Sequence, residues 1–226
     1  MKILIKILIL VITTTTLAQK SIKKTVGDFS ELKVYDLIEV ELIKSDKNAV
    51  EITGKNYEDV LVNNKNGTLK IKMKLEEVFD GNDIKVKLYY TNIDVIDANE
   101  GAYIYSKEVI NQFEIDLNAQ EGAKIEMKNI EVKYINIRSV TGATITALGK
   151  AKHQDISIYT GGKYDGKLLE TENTEVSIRA AGEALVNATD KVIAKVRIGG
   201  NIFIYGNPNK IEESKVLGGK IKLVKE

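Results

Sequence analysis

His153 is the single histidine of this 226-residue chain, which has no cysteine. A Ser-His-Asp triad would have to use this imidazole, and Asp155 would point the same way from an extended strand. The polar run Lys152 to Gln154 indicates an exposed turn, however, which favours a plain surface histidine over a catalytic one. Zinc and iron sites need several His or Cys ligands, so we predict no metal and no cofactor site.

Oxygen ligands for calcium are offered by the loop 80–83, Asp-Gly-Asn-Asp. A calcium-binding loop needs more ligands at alternating positions and a closing glutamate. Asp, Gly and Asn are also the residues that favour tight turns. We therefore interpret this loop as a turn.

Acidic residues that a polysaccharide lyase or hydrolase could use are Asp165, Glu170 and Glu172. Such an enzyme needs its charged groups to meet in one cleft. At equal positions of the repeat described below, Asp165 falls beside Thr146 and Val186. No pair of carboxylates is then expected on neighbouring coils, and we predict that the chain has no catalytic residues.

Tyrosine is frequent, with ten residues against four phenylalanines. Six of them fall in the second half of the chain: Tyr103, Tyr105, Tyr134, Tyr159, Tyr164 and Tyr205. Aromatic rows on the outside of a β-structure could stack on sugar rings. The interpretation that we favour is that they fill corners of the core or shield strand faces.

A short unit, Gly-x-x-apolar, organises the second half of the chain and sets where these side chains lie. Its glycines are Gly101, Gly122, Gly142, Gly161, Gly182, Gly199 and Gly218, and its apolar residues are Ile104, Ile125, Ile145, Tyr164, Leu185, Ile202 and Ile221. Successive glycines are 17 to 21 residues apart. A fixed period of about 20 residues is typical of a solenoid or an array.

Alternation of apolar and polar residues shows which kind of repeat this is. Ile156-Ser-Ile158 precedes a glycine and Ile202-Phe-Ile204 follows one, with the period of two that β-strands require. About 20 residues circle a narrow core once, so the sequence predicts an all-β parallel β-solenoid of about seven coils. The alternative is a β-sandwich, but its hairpins turn every ~8 to 12 residues.

Residues 1–18 have the features of a secretory signal peptide. Lys2 and Lys6 give a positively charged n-region, Ile3 to Ile12 is an apolar run interrupted only by Lys6, and Thr16-Leu17-Ala18 provides small residues at the positions that signal peptidase reads. Cleavage is expected between Ala18 and Gln19. The apolar run is shorter than the ~20 residues that span a bilayer, and no later segment of the exported chain is long and apolar enough to do so.

The exported part, 19–226, is predicted to be one domain. Strands and hairpins in 27–98, including a turn at Asn66-Gly67, would cap one end of the stack, and 99–226 would form the repeating coils. Lys220, Lys222 and Lys225 would keep a further strand from docking at the other end. The 33 basic residues nearly balance the 32 acidic ones, which argues against a nucleic-acid-binding surface.

Several segments resemble one known family. They are Phe29-Ser-Glu-Leu-Lys-Val34, Asn66-Gly-Thr-Leu-Lys-Ile71, the Gly-Ala steps at 101, 122 and 142, and Tyr205-Gly-Asn-Pro208 followed by Gly218-Gly219. The chain is similar to the putative autotransporter adhesins with a head GIN domain, which are common in exported proteins of Bacteroidota. The resemblance implies a right-handed parallel β-helix-like stack and brings no catalytic residues. The corner steps here lack the family's usual Ser-Gly-Ala-Ser pattern.

We therefore predict a non-enzymatic module, exported to the periplasm, the outer-membrane surface or the exterior. Its use would be adhesion or ligand display, with a cell-surface glycan or protein as partner. Two alternatives are a carbohydrate-active β-helix enzyme and a structural, self-associating envelope protein.

Overall fold

A computed structural model describes residues 21–225, in which the chain forms a β-solenoid of about six turns with 68% strand and 4% helix. The predicted all-β solenoid is confirmed. Seven glycine corners enclose six intervals, so the predicted seven coils are a close count. The signal peptide, 1–18, and its cleavage site lie outside the described residues.

Nine strands precede the long repeats. They are β1 Ser21–Thr25, β2 Glu31–Val34, β3 Glu39–Lys44, β4 Ala49–Thr53, β5 Val60–Lys65, β6 Thr68–Met73, β7 Lys85–Tyr90, β8 Val95–Ala98 and β9 Tyr103–Ser106. Three short 3₁₀ helices interrupt them at Tyr57–Asp59, Leu75–Glu77 and Gly81–Asp83. None of the described helices is long and apolar enough to cross a membrane.

Eight further strands complete the sheet. They are β10 Ile110–Ala119, β11 Lys124–Val140, β12 Thr144–Tyr159, β13 Lys163–Ile178, β14 Glu183–Ile198, β15 Asn201–Tyr205, β16 Lys210–Leu217 and β17 Lys220–Leu223. In the long strand β11 the alternation of buried and exposed residues is interrupted twice, at 128–129 and at 133–134, which divides the coil into three faces. We call them the post-corner face (124–127 in β11), the connecting face (130–132) and the pre-corner face (134–139).

Equal positions of successive coils stack directly on one another. Ile125 pairs with Ile145 on the post-corner face and Ile137 pairs with Ile156 on the pre-corner face, both in parallel ladders. Ile125, Ile145 and Ile202 are fully buried, as the repeat predicts. Because the pleat alternates, every second residue of each face is turned to solvent.

Glycine corners separate the pre-corner from the post-corner face. At a typical corner, Glu121 and Gly122 have φ of 56° and 73°, and the amide of Ala123 donates to the carbonyl of Gln120 at 3.1 Å. The corners also bond to one another, since the Gly101 amide donates to the Glu121 carbonyl at 3.0 Å. Glycine relieves the steric cost that a side chain has in this left-handed conformation.

The first coil carries no glycine at its corner. Asp36 and Leu37 adopt φ of 60° and 63°, and the Leu37 amide donates to the Glu100 carbonyl at 3.0 Å, as a repeat corner does. The flanking strands β2 and β3 pair in parallel with β8 and β9. The solenoid therefore extends into residues 31–44, which lie outside the repeating region predicted from the sequence, 99–226.

Buried Asp36 holds this strained corner in place. Its carboxylate accepts the backbone amides of Met73 at 3.0 Å and Phe79 at 3.2 Å, which ties the segment above the first coil to the corner. Beyond that coil, β6 and β7 still run parallel to β2 and β3, and β1, β4 and β5 pair antiparallel. The hairpin at Asn66-Gly67 is confirmed, with φ of 52° and 81°.

At the opposite end, β16 stacks on β14 and β17 on β15. Glu213 and Lys215 pair with the buried Ala194 and Val196, so they occupy inward positions of this last described coil. Inward charges of this kind discourage another strand from pairing. Lys220 and Lys222 lie instead on outward positions of the post-corner face.

Candidate functional site

Two neighbouring grooves run along the solenoid where the connecting face meets the pre-corner face. The connecting groove has a volume of about 630 Å³. Val132, Ala151 and Thr171 form its floor, and charged side chains of both signs form its rims. The second groove, which we call the aromatic groove, has about 380 Å³ and lies between the rows that begin with Tyr134 and Asn136.

An aromatic ridge, made of Phe113, Tyr134 and His153, separates the two grooves. Its ring centroids are 5.4 Å apart between Phe113 and Tyr134 and 4.9 Å apart between Tyr134 and His153. The Lys133 amine lies over both Phe113 and Tyr134, at 5.1 and 5.3 Å from their centroids. Since the Tyr134 and His153 rings stack on each other, they offer the grooves mainly their edges.

His153 lies within strand β12 and not in a turn, which corrects one sequence-based expectation. It is half-buried, and its neighbours across the ladder are Tyr134 and Asn173. Within residues 21–225 its imidazole has no hydrogen bond or ion pair to a side chain. Asp155 shares its side of the strand, but nothing among the described residues completes a triad.

Asp155 and Glu175 are aligned on adjacent strands at the floor edge of the aromatic groove. The expectation that no carboxylates align on neighbouring coils is therefore wrong. Burial, and secondarily the charge of Glu175, raise the pKa of Asp155. Glu175 itself accepts a hydrogen bond from the Lys195 amine at 2.6 Å. The charge of Glu175 is therefore balanced by a lysine, whereas Asp155 has no such partner among the described residues.

The three acids selected from the sequence are not brought together. Asp165 stacks beside Thr146 as expected, but its other neighbour is Leu185 and not Val186. The register shifts between Asp165 and Glu170, which equal spacing could not anticipate. Glu170 and Glu172 lie on opposite rims of the connecting groove, 3.9 and 4.0 Å from Lys150 and Lys152, respectively.

A buried polar network lies beneath both grooves. The Gln154 amide donates a hydrogen bond to the Tyr164 hydroxyl. The Thr174 hydroxyl donates to the side-chain oxygen of Gln154 at 3.3 Å and is hydrogen-bonded to the Thr171 hydroxyl at 2.8 Å. Gly166 leaves room for the Tyr164 ring, because a Cβ there would lie 2.5 Å from the hydroxyl oxygen. Sequence reasoning missed the network, although Gln154 and Thr174 stand where other coils have isoleucine or valine.

Of the six tyrosines singled out in the sequence, Tyr164 alone is a core residue, with 1% exposure. The other five are half-buried and cover strand faces from outside. Tyr103 and Tyr105 stack at 5.0 Å, and the Tyr103 hydroxyl donates to Glu126 at 2.9 Å. Burial, followed by that hydrogen bond, raises the pKa of Tyr103, so this hydroxyl is engaged within the protein.

Residues 21–225 contain no group of three or more His, Asp or Glu side chains placed to hold a metal ion. The fold and the site define a β-solenoid whose outward faces are patterned with aromatic and charged rows. The chain belongs to the family described as putative auto-transporter adhesin, head GIN domain, which it matches over residues 28–208.

Solved structures share this fold. A putative adhesin from Bacteroides fragilis has a TM-score of 0.84 at 18% identity, covering 92% of this chain and 98% of that chain. A putative adhesin from Parabacteroides distasonis has a TM-score of 0.73 at 24% identity, covering 92% of this chain and 97% of that chain. A putative lipid binding protein from the same species has a TM-score of 0.73 at 15% identity, covering 92% of this chain and 98% of that chain. The comparison with curated proteins found no match.

Proposed function

We propose that this protein is a non-enzymatic module of the cell envelope or cell surface that binds a glycan along the aromatic ridge. The observation that carries the proposal is the outward position of Tyr134 and His153 between two open grooves. Membership of an adhesin family supports a binding role over a catalytic one. Export follows from the signal peptide predicted for 1–18, and the protein isolated from its native host is expected to begin at Gln19.

The groove walls supply the groups that sugar recognition uses. Aromatic edges give apolar contact, and a small number of fixed polar groups give orientation. Asn136 is held by Glu114 and Asp116, at 2.9 and 2.7 Å, so its amide is fixed and not free to rotate. Open grooves of this shape suit an extended polymer better than a small enclosed ligand.

Binding to a panel of neutral and charged polysaccharides tests the proposal. Tyr134→Ser and His153→Ser are expected to weaken binding of the recognised polymer by about tenfold or more, in the range of a binding hot spot. Tyr205→Ser is the matched control, because Tyr205 is also half-buried and lies under a lysine, Lys167, at 4.8 Å. Equal losses in the control, or no polymer bound by the parent protein, would refute the ridge as the site.

A second candidate function is glycoside hydrolysis, which the aligned Asp155 and Glu175 favour. Such enzymes use a carboxyl group with a raised pKa beside an ionised one. Production of new reducing ends, lost in both Asp155→Asn and Glu175→Gln, would establish it. Binding without cleavage supports the first proposal, whereas self-association without any polysaccharide binding supports a structural role.

A further inference from the structure

All three arginines of the chain lie together on the pre-corner face. They are Arg138, Arg179 and Arg197, whereas the other 30 basic residues are lysines spread over the whole molecule. Ile158 pairs with Ile178 and Ile178 with Val196. The next residue of each strand, Tyr159, Arg179 and Arg197, therefore forms one row that faces solvent.

Tyr159 contacts two of the three guanidinium groups of this arginine patch. The guanidinium carbons of Arg138 and Arg179 lie 5.8 and 5.1 Å from the centre of its ring. An arginine over an aromatic face keeps its planar donors free at the edges. Arg138 and Arg179 are thus placed by stacking, and their N–H groups are left for another partner, whereas Arg197 follows Arg179 one strand further along the row.

No acidic side chain in the described part of the chain neutralises these arginines. Within residues 21–225, none of the three forms an ion pair or donates a side-chain hydrogen bond. Arg138 lies between Asn118 and Ser157 in the ladder, so its immediate neighbours are neutral. The closest acid on the Arg179 strand, Glu175, is already bonded to Lys195.

Arg179 and Arg197 are like charges at neighbouring positions of adjacent strands, and such strands are spaced ~4.8 Å apart. Such a pair is unfavourable unless an anion lies between the two groups. The hydroxyls of Ser157 and Ser177 lie on the same side of the sheet, next to the arginines. The patch therefore combines charged donors with hydroxyl groups on an open surface.

We propose that this patch binds the carboxylate or sulfate groups of an anionic polysaccharide. Arginine forms paired hydrogen bonds with both kinds of oxyanion. Charges on successive coils fit charges repeated along an extended polymer, and the serine hydroxyls fit its hydroxyl groups. A net charge of +1 disfavours the general attraction to nucleic acid or anionic membrane that a strongly basic surface gives.

The inference rests on the proposed glycan-binding function and names the class of polymer. The same face carries the aromatic groove at one edge and the arginine patch at the other, since Asn136 and Arg138 alternate along one strand. One chain of sugars lying across this face would contact both. The ridge and the patch can nevertheless be separated by substitution.

The experiment measures binding of the purified protein to polygalacturonate, dextran sulfate and uncharged dextran, at low and at high salt. The triple variant Arg138→Gln, Arg179→Gln and Arg197→Gln is expected to bind both charged polymers about tenfold or more weakly, with a smaller salt dependence. Its melting temperature should stay close to that of the parent, because all three side chains are exposed.

A matched control removes the same charge elsewhere. Lys87→Gln, Lys163→Gln and Lys222→Gln change three exposed lysines of the post-corner face, and affinity should stay within about twofold if the patch is specific. Equal losses in both triple variants would show that net charge alone matters and would overturn the inference.

Other outcomes separate this inference from the proposed function. Binding of dextran through Tyr134 with no preference for the charged polymers refutes the patch and leaves the glycan-binding role. Binding of the charged polymers that depends on the arginines but not on Tyr134 or His153 supports the patch and refutes the ridge. Stronger arginine-dependent binding to duplex DNA or to anionic vesicles, or an arginine-dependent dimer, would replace the polysaccharide as the occupant and overturn the inference.

Discussion

The post-corner and pre-corner faces have the same strand geometry but differ in the partners of their outward side chains. On the post-corner face, charged and aromatic groups satisfy one another: Tyr103 bonds to Glu126, Lys124 lies 4.8 Å from the Tyr103 ring, and Lys107 bonds to Glu41 at 2.9 Å. On the pre-corner face of the later coils, Asp155 and the three arginines have no oppositely charged partner among residues 21–225, although Arg138 and Arg179 stack on Tyr159. We conclude that the first arrangement shields the sheet and the second is available to a ligand.

The largest expected effect on stability comes from a substitution in the core. Ile145→Asp would bury an unpaired carboxylate in the stacked isoleucine row, at a cost of several kcal/mol, comparable with the ~5–15 kcal/mol of a whole domain. We expect the variant to unfold or aggregate, as measured by circular dichroism and thermal denaturation.

Thr144→Asp is the control for this substitution. Thr144 points outward between Lys124 and Lys163, so a carboxylate there meets two cations and should leave the melting temperature nearly unchanged. An Ile145→Asp protein that melts within a few degrees of the parent would contradict the register described here.

The next largest effect distinguishes a buried tyrosine hydroxyl from a half-buried one. Tyr164→Phe leaves the buried Gln154 amide without its hydroxyl partner and should lower the free energy of unfolding by about 1–3 kcal/mol. Tyr103→Phe removes a hydrogen bond at a half-buried surface position and should cost about 1 kcal/mol or less. Urea denaturation of the two variants tests this order, and a reversed order would contradict it.

The smallest effect concerns the pH dependence of stability. Burial and the charge of Glu175 raise the pKa of Asp155, so the folded state holds this proton more tightly than the unfolded state does. Stability from this group is therefore lost as the pH rises from the ordinary aspartate pKa through the raised one. Asp155→Asn should be slightly more stable than the parent at neutral pH, with the difference shrinking in acid.

Thermal denaturation as a function of pH measures this difference. Asp116→Asn is the comparison, because Asp116 accepts a hydrogen bond from Asn136 at 2.7 Å and its removal should not stabilise the fold. A constant offset between Asp155→Asn and the parent at every pH would contradict the assignment.

Sequence periodicity is sufficient to predict the solenoid. Glycines at nearly constant spacing mark the corners, and alternation marks the inward residues, because a stack of coils repeats its local environment at every turn. For this reason the burial of Ile125, Ile145 and Ile202 was predictable. The Asp36-Leu37 corner was not, because its strained conformation is held by distant amides of Met73 and Phe79.

The chain by itself determined its period, its strands and the identity of its core rows, since these depend on residues that are near one another in sequence. Tertiary structure decided which outward residues become neighbours. Small register shifts between strands, such as the one after Asp165, change the partner of every following residue. They bring Asp155 beside Glu175, Arg138 and Arg179 against Tyr159, and Arg197 beside Arg179, and no spacing in the sequence fixes those shifts.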